Sequence, residues 1–151
     1  MADVELTNMV MIYDRDKDRV VVQDRVKSWK GISFPGGHLE DGESIVDSCI
    51  REIKEETGLD IENLKSCGTI YWCNSETFDK YIVFLYRTET FTGTLLEETE
   101  EGKVFWLSID EVKKIKNENK FERYLPMFLS DKYSEAFGLW NENEEWDLEY
   151  R

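Results

Sequence analysis

Residues 36–59 read Gly36-Gly37-His38-Leu39-Glu40-Asp41-Gly42-Glu43-Ser44-Ile45-Val46-Asp47-Ser48-Cys49-Ile50-Arg51-Glu52-Ile53-Lys54-Glu55-Glu56-Thr57-Gly58-Leu59. Behind Pro35, the glycine pair cannot continue a strand and permits backbone conformations closed to other residues, so the stretch opens as a loop. Ser44 and Asp47 have the spacing of a capping box, with Asp in place of the usual Glu or Gln, and Gly58 suits the left-handed position that ends a helix. Val46, Cys49, Ile50 and Ile53 recur at i, i+3, i+4 and i+7, which predicts a helix over Ser44–Thr57 with one apolar face. Glu52, Glu55 and Glu56 fall at i, i+3, i+4 and share a second face bordering the first.

Three like charges held together destabilise a bare helix. A solvated acidic face accounts for the glutamates, but not for the glycine-rich loop and the lone Arg51 that accompany them at fixed spacing. Carboxylate oxygens are the ligands hard cations such as Mg2+ prefer, and adjacent glutamates can hold a metal that also takes phosphate oxygens and water. Arg51, one residue before Glu52 and four before Glu55, is placed to steady these carboxylates by charge-assisted hydrogen bonds.

Around this helix the pattern changes to strands. Leu6–Tyr13 and Arg19–Asp24 read as buried strands of a hairpin, joined by the charged turn Asp14–Asp18. Cys67–Cys73 and Tyr81–Arg87 are further strands, the second apolar enough to be buried on both sides, and Lys103–Leu107 is a shorter one. Ser108-Ile109-Asp110-Glu111 is a capping box opening a short helix with Ile109, Val112 and Ile115 inward, ended near Asn117–Asn119. Phe121–Leu129 reads as a helix interrupted or restarted at Pro126. Residues 132–151 form an acidic tail rich in aromatics (Tyr133, Phe137, Trp140, Trp146, Tyr150), expected to pack on the domain or on a partner subunit, because such residues left in water invite aggregation. Mixed strands and helices in a chain of 151 residues point to one α/β domain with a mixed sheet.

Composition narrows the partners. The net charge of −14 disfavours long nucleic acid, which needs a basic surface to release counterions. A small phosphorylated ligand is compatible if divalent cations sit between its phosphates and the carboxylates. The hydrophobic runs are brief and Met1–Glu5 carries no signal pattern, so a cytoplasmic protein with no membrane partner is expected. Cys49, Cys67 and Cys73 form no Cys-x-x-Cys pair and are read as reduced thiols that fill space.

From Gly37 the pattern runs Gly37-x5-Glu43-x7-Arg51-Glu52-Ile53-x-Glu55-Glu56-x-Gly58-Leu59. It resembles the Nudix box at every specified position, and seven matched identities have chance odds of about 10⁻⁸ per window at ordinary residue usage. The resemblance implies a Nudix-type α/β/α sandwich with the box as loop-helix-loop. It further implies a Mg2+-dependent pyrophosphohydrolase, with Mn2+ an acceptable substitute. Similarity to MutT-like members implies metal ligation by Glu52, Glu55, Glu56 and the Gly37 carbonyl, with Glu52 also a candidate base and Arg51 part of the catalytic set. A further acidic ligand, matched here to Glu101, precedes a late strand in several such enzymes. Arg25 stands where a MutT-like arginine approaches the nucleotide. His38 replaces a lysine that often contacts phosphate, and Asn8 is a candidate contact for the base. Trp29, Phe34, Trp72, Phe78 and Trp106 can stack on a base, but aromatics at strand spacing more often fill cores.

Among Nudix substrates, ADP-ribose loses ground because its branch carries a proline about fifteen residues past the box, and the prolines here are Pro35 and Pro126. Signatures for NADH and coenzyme A are missing. The expectation is a nucleoside triphosphate, with 8-oxo-dGTP converted to 8-oxo-dGMP and pyrophosphate as the best single candidate. ADP-ribose and a non-catalytic nucleotide sensor are the alternatives, and a homodimer is left open.

Overall fold

The computed structural model describes all residues, Met1–Arg151. In chain order the elements begin with β1 (Val4–Asp14), β2 (Arg19–Arg25), β3 (Gly31–Ser33) and α1 (Ile45–Thr57). The middle of the chain supplies β4 (Asp60–Glu62), β5 (Lys65–Asn74), β6 (Lys80–Thr88), β7 (Thr90–Thr92), β8 (Glu98–Thr99) and β9 (Gly102–Ser108). It closes with α2 (Ile109–Lys114), a 3-10 turn (Phe121–Tyr124), α3 (Leu125–Leu129), β10 (Glu135–Trp140) and β11 (Glu149–Tyr150). The main sheet runs β11-β10-β5-β6-β1-β2-β9-β8, with β3 also on β2 and a separate β4-β7 ribbon. It is mixed, because β1 lies parallel to β6 and β10 parallel to β5.

Alternation along the central strands divides the core into layers. Met9, Met11, Val20 and Val22 face a large cluster closed by Phe121, Tyr124, Leu125 and Phe128. Val10, Ile12 and Val21 face the other way, onto Cys49 and Ile53 of α1. The sheet is thus sandwiched between α1 and the helical segment 109–129, the expected α/β/α arrangement. β6 departs from its reading as doubly buried: Val83 and Leu85 are covered, whereas Ile82, Phe84 and Tyr86 are half-buried because α1 lies over β1, β2 and β9 and leaves β6 at the margin of its cover.

The hairpin expectation holds only at its turn. β1 and β2 pair at Tyr13↔Val20 and Asp14↔Arg19 and then diverge. The gap is filled by the strand β3 and the extended segment behind it. β3 pairs with β2, and residues 35–39 pair with β1 through Val10 N–H to Pro35 O (2.9 Å), Asn8 N–H to Gly37 O (2.8 Å) and Leu39 N–H to Leu6 O (3.0 Å). Gly36 and Gly37 are needed here for space and not for unusual dihedrals, since neither has a positive φ. A Cβ on Gly36 would overlap the Asn8 carbonyl, and one on Gly37 would overlap the Glu52 carboxylate.

Helix α1 begins as predicted at Ser44, whose Oγ accepts from Asp47 N–H (3.0 Å), and ends at Gly58 in the left-handed region (φ 81°). Its inward face differs from the reading. Val46 is exposed and Ile50 half-buried, while Ser48 and Thr57 join Cys49 and Ile53 inside. Both hydroxyls satisfy themselves on the preceding turn, Ser48 on Ile45 O and Thr57 on Ile53 O, which makes their burial tolerable. The capping box at Ser108/Glu111 is complete in both directions. A new helix starts around Pro126, after the 3-10 turn.

Residues 132–151, to which the sequence reading gave no secondary structure, hold β10 and β11 and so extend the sheet beyond β5. Ala136 and Leu148 enter the large core cluster, and Gly138 leaves the space in which the Trp72 ring lies.

Candidate active site

One cavity of about 820 Å³ opens over the seam between β1 and β2, within the ~300–1,000 Å³ typical of small-molecule sites. One half of it is acidic, lined by Glu52, Glu55 and Glu56 from α1 and by Glu101 from the turn before β9. The other half is aromatic, with Trp29, Trp72, Tyr81, Tyr124 and Trp140.

The acidic half is organised by Arg51. Its Nε and Nη2 engage both oxygens of Glu43 (2.7 and 2.9 Å), and its Nη1 reaches Glu52 Oε1 (2.8 Å) and Glu55 Oε2 (3.4 Å). Nη2 also donates to the His38 carbonyl (3.0 Å), tying the loop to the helix. A bidentate Arg–carboxylate pair fixes direction as well as charge. Glu43 is held below the usual carboxylate range by its hydrogen bonds from Arg51, and those same bonds push the guanidinium up.

Glu52 and Glu56 behave in the opposite sense. Burial pushes the Glu52 carboxyl up, against the pull of Arg51 and with the charges of Glu55 and Glu56 adding to the rise. Burial also raises Glu56; Gln23 opposes this, and Glu101 reinforces it. Glu55 is the exposed member of the three, its side chain 57% accessible. As they stand no three acidic side chains converge on one point, because Arg51 draws Glu52 and Glu55 one way and Gln23 draws Glu56 another. The donor set still suits a hard divalent cation: carboxylate oxygens, two of them desolvated and mutually repelling, beside a carbonyl-bearing loop that only glycine lets so close.

The other residues read from the sequence are distributed as follows. Arg25 lines the cavity with its Nε on Ser28 O (3.0 Å) and its guanidinium 5.7 Å from the Trp29 ring centre. His38 lines it with an exposed ring, Nε2 3.4 Å from Glu5 Oε2. Asn8 is buried at the cavity floor, and the protein already uses both ends of its amide. Nδ2 donates to Ser48 Oγ (2.9 Å) and Oδ1 accepts from Gly37 N–H (3.2 Å), so Asn8 staples the glycine loop to α1. Glu101 lies 3.7 Å from Lys27 Nζ. Trp29, Phe34 and Trp72 line the cavity, whereas Phe78 is 61% exposed and Trp106 packs on the far side under Arg19.

Several residues of the site escaped the sequence reading. Gln23, 1% exposed in β2, donates from Nε2 to Glu56 Oε2 (2.6 Å) while its Oε1 has no partner. A polar residue amid Val20-Val21-Val22 was its only signal. Lys27, Tyr81, Tyr124, Trp140 and Glu145 join through tertiary folding alone.

Comparison with known proteins bears on the family and the fold. The family model for the NUDIX domain matches residues 6–128. The uncharacterized Nudix hydrolase YvcI of Bacillus subtilis is 32% identical over 113 residues, covering 73% of this chain and 69% of that protein. The NAD-capped RNA hydrolase NudC of Pseudomonas aeruginosa is 27% identical over 120 residues, covering 78% of this chain but only 41% of that one. Among solved structures, the mutator MutT protein from Bacillus halodurans superposes with a TM-score of 0.81 over 97% of both chains at 22% identity. A matched domain model, an intact box and a MutT-type sandwich agree, and this chain belongs to the Nudix hydrolase family.

Proposed function

We propose that the protein hydrolyses a nucleoside triphosphate to the monophosphate and pyrophosphate, with 8-oxo-dGTP the best single substrate candidate. The observation that carries this reading is a single cavity with carboxylates at one end and aromatic rings at the other, matched to the phosphate chain and base of one nucleotide. Glu52, Glu55 and Glu56, with Glu101 from the facing turn, would hold Mg2+ or Mn2+, and the Gly37 carbonyl, which already accepts from Asn8 N–H (2.8 Å), has only its second lone pair to add. When bound, the metal supplies the positive charge that offsets the phosphates and acidifies a coordinated water. The chain's own residues then divide the work. Arg51 holds Glu52 in place, and Gln23 holds Glu56. Glu52, its pKa raised by burial, is the candidate to take the proton of the attacking water. Arg25 and Lys27 offset charge on the phosphate chain, with His38 as a further donor. Water adds to one of the two phosphorus atoms of the α–β anhydride as the P–O bond between that phosphorus and the bridging oxygen breaks, and the nucleoside monophosphate and pyrophosphate separate.

The competing class is another nucleoside diphosphate derivative such as ADP-ribose or a dinucleotide, suggested by the likeness to the NAD-capped RNA hydrolase and to an ADP-ribose pyrophosphatase. The experiment is a screen of 8-oxo-dGTP, common triphosphates, ADP-ribose and NADH with Mg2+, reading pyrophosphate against phosphate and monophosphate products. Release of pyrophosphate from triphosphates is expected. Preference for ADP-ribose or NADH would overturn the substrate class.

A further inference from the structure

The aromatic half of the cavity depends on residues 135–150. Trp140 and Glu145 both line it and are bridged to each other, with Ser75 N–H on Trp140 O (2.8 Å) and Trp146 N–H on Leu139 O (2.9 Å) fixing the turn. Glu145 Oε2 accepts from Arg123 Nη1 at 2.9 Å, and the Arg123 guanidinium lies 5.1 Å from the centre of the Trp72 ring. Trp72 in turn donates from Nε1 to the Tyr124 hydroxyl (3.0 Å) and lies in the space left by Gly138. The result is a carboxylate at the open rim of an aromatic wall, its side chain 44% accessible, held by one arginine through one oxygen, with no protein donor on the other.

We propose that this wall is the nucleobase subsite, with Trp140 presenting a face for stacking and Glu145 selecting guanine-type bases. The proposal rests on the reading of the ligand as a nucleotide. Guanine offers adjacent donors on one edge, the ring N1–H and the 2-amino group, and a carboxylate accepts both. Adenine presents a lone pair at N1, which faces the carboxylate with like polarity and leaves that acceptor unpaired. Oxidation at C8 lies on the opposite edge, so Glu145 separates guanine from adenine but treats guanine and 8-oxoguanine alike.

The test is equilibrium binding of GMP and AMP to the full chain with Mg2+, followed by tryptophan fluorescence, a measurement that needs no turnover. Wild type should favour GMP by about tenfold, and Glu145→Gln should bring the two within about threefold. Arg123→Met, which breaks the same ion pair but keeps the carboxylate, should retain the preference. Trp140→Ala should weaken both ligands alike. A wild type that binds GMP and AMP equally, a Glu145→Gln variant that keeps the preference, an Arg123→Met variant that loses it, or a Trp140→Ala variant unchanged for both would each overturn the proposal. Guanine preference in binding without triphosphate hydrolysis would sink the proposed reaction and leave this subsite standing.

Discussion

Gln23 Nε2 donates to Glu56 Oε2 at 2.6 Å from a position in β2 that is 1% exposed, so a buried amide in the sheet sets the direction of a carboxylate on the helix. That bond favours the charged form of Glu56 against the burial that disfavours it. Gln23→Leu removes the donor at similar volume. Glu56 then ionises at higher pH, and the acid limb of kcat/KM moves upward in pH. Unchanged acid limbs in the two proteins would remove Gln23 from the site.

Each of Glu52→Gln, Glu55→Gln and Glu56→Gln deletes a charge from the cation-binding half while keeping shape. Turnover should fall by about a hundredfold or more in each, with circular dichroism unchanged, and EDTA should abolish wild-type activity. Activity within about threefold of wild type in all three would sink the metal assignment.

Stability of the metal-free protein carries an opposite sign. Glu52 and Glu56 have folded-state pKa values raised above the unfolded value, so the folded state binds protons more tightly across that window. Their favourable contribution is present below the unfolded pKa and is lost as pH rises through the raised folded pKa. In EDTA at neutral pH, Glu56→Gln should therefore melt at a higher temperature than wild type, and the difference should shrink in acid. Glu43, held low by Arg51, contributes in the other direction, its stabilisation being lost as pH falls through the depressed value.

The glycine pair separates folding from catalysis. Gly36→Ala drives a methyl group into the Asn8 backbone and should cost about 2 kcal/mol or more, read by denaturant unfolding. Gly37→Ala instead meets the end of the Glu52 side chain, which Arg51 prevents from yielding freely. Its expected signature is a loss of about tenfold or more in kcat with a smaller change in melting temperature.

The helix and its acids were legible because each carries its signal within a few residues: Ser44 as cap, Gly58 as stop, the glutamates at one-turn spacing. Ser48 and Thr57 were not counted in the apolar face because a hydroxyl reads as polar until its bond to the preceding turn is seen. The opening of the β1–β2 hairpin was invisible, since nothing local says that residues 35–39 will pair with β1. Gln23, Trp140 and Glu145 reach the cavity only through long-range pairing, which leaves no periodic trace. β10 was missed because Glu135-Ala136-Phe137-Gly138-Leu139-Trp140 holds a glycine, which weakens a strand by sequence, yet here makes way for Trp72.

The parallel pairing of β10 with β5 also fixes an order of events during synthesis. A nascent chain that has emerged only as far as residue 130 already contains the glutamate helix and most of the sheet, with Tyr124 and Arg123 beside Trp72, but nothing to pack beside β5 and nothing over the face of Trp72 that Gly138 covers. The edge of β5 stays unpaired until the segment 135–140 arrives, and such edges are where chains associate wrongly. Lesions that stall translation or clip the chain in this interval would leave a polypeptide with every residue of the box and no enclosed cavity, a species exposed to chaperones and proteases rather than to nucleotides.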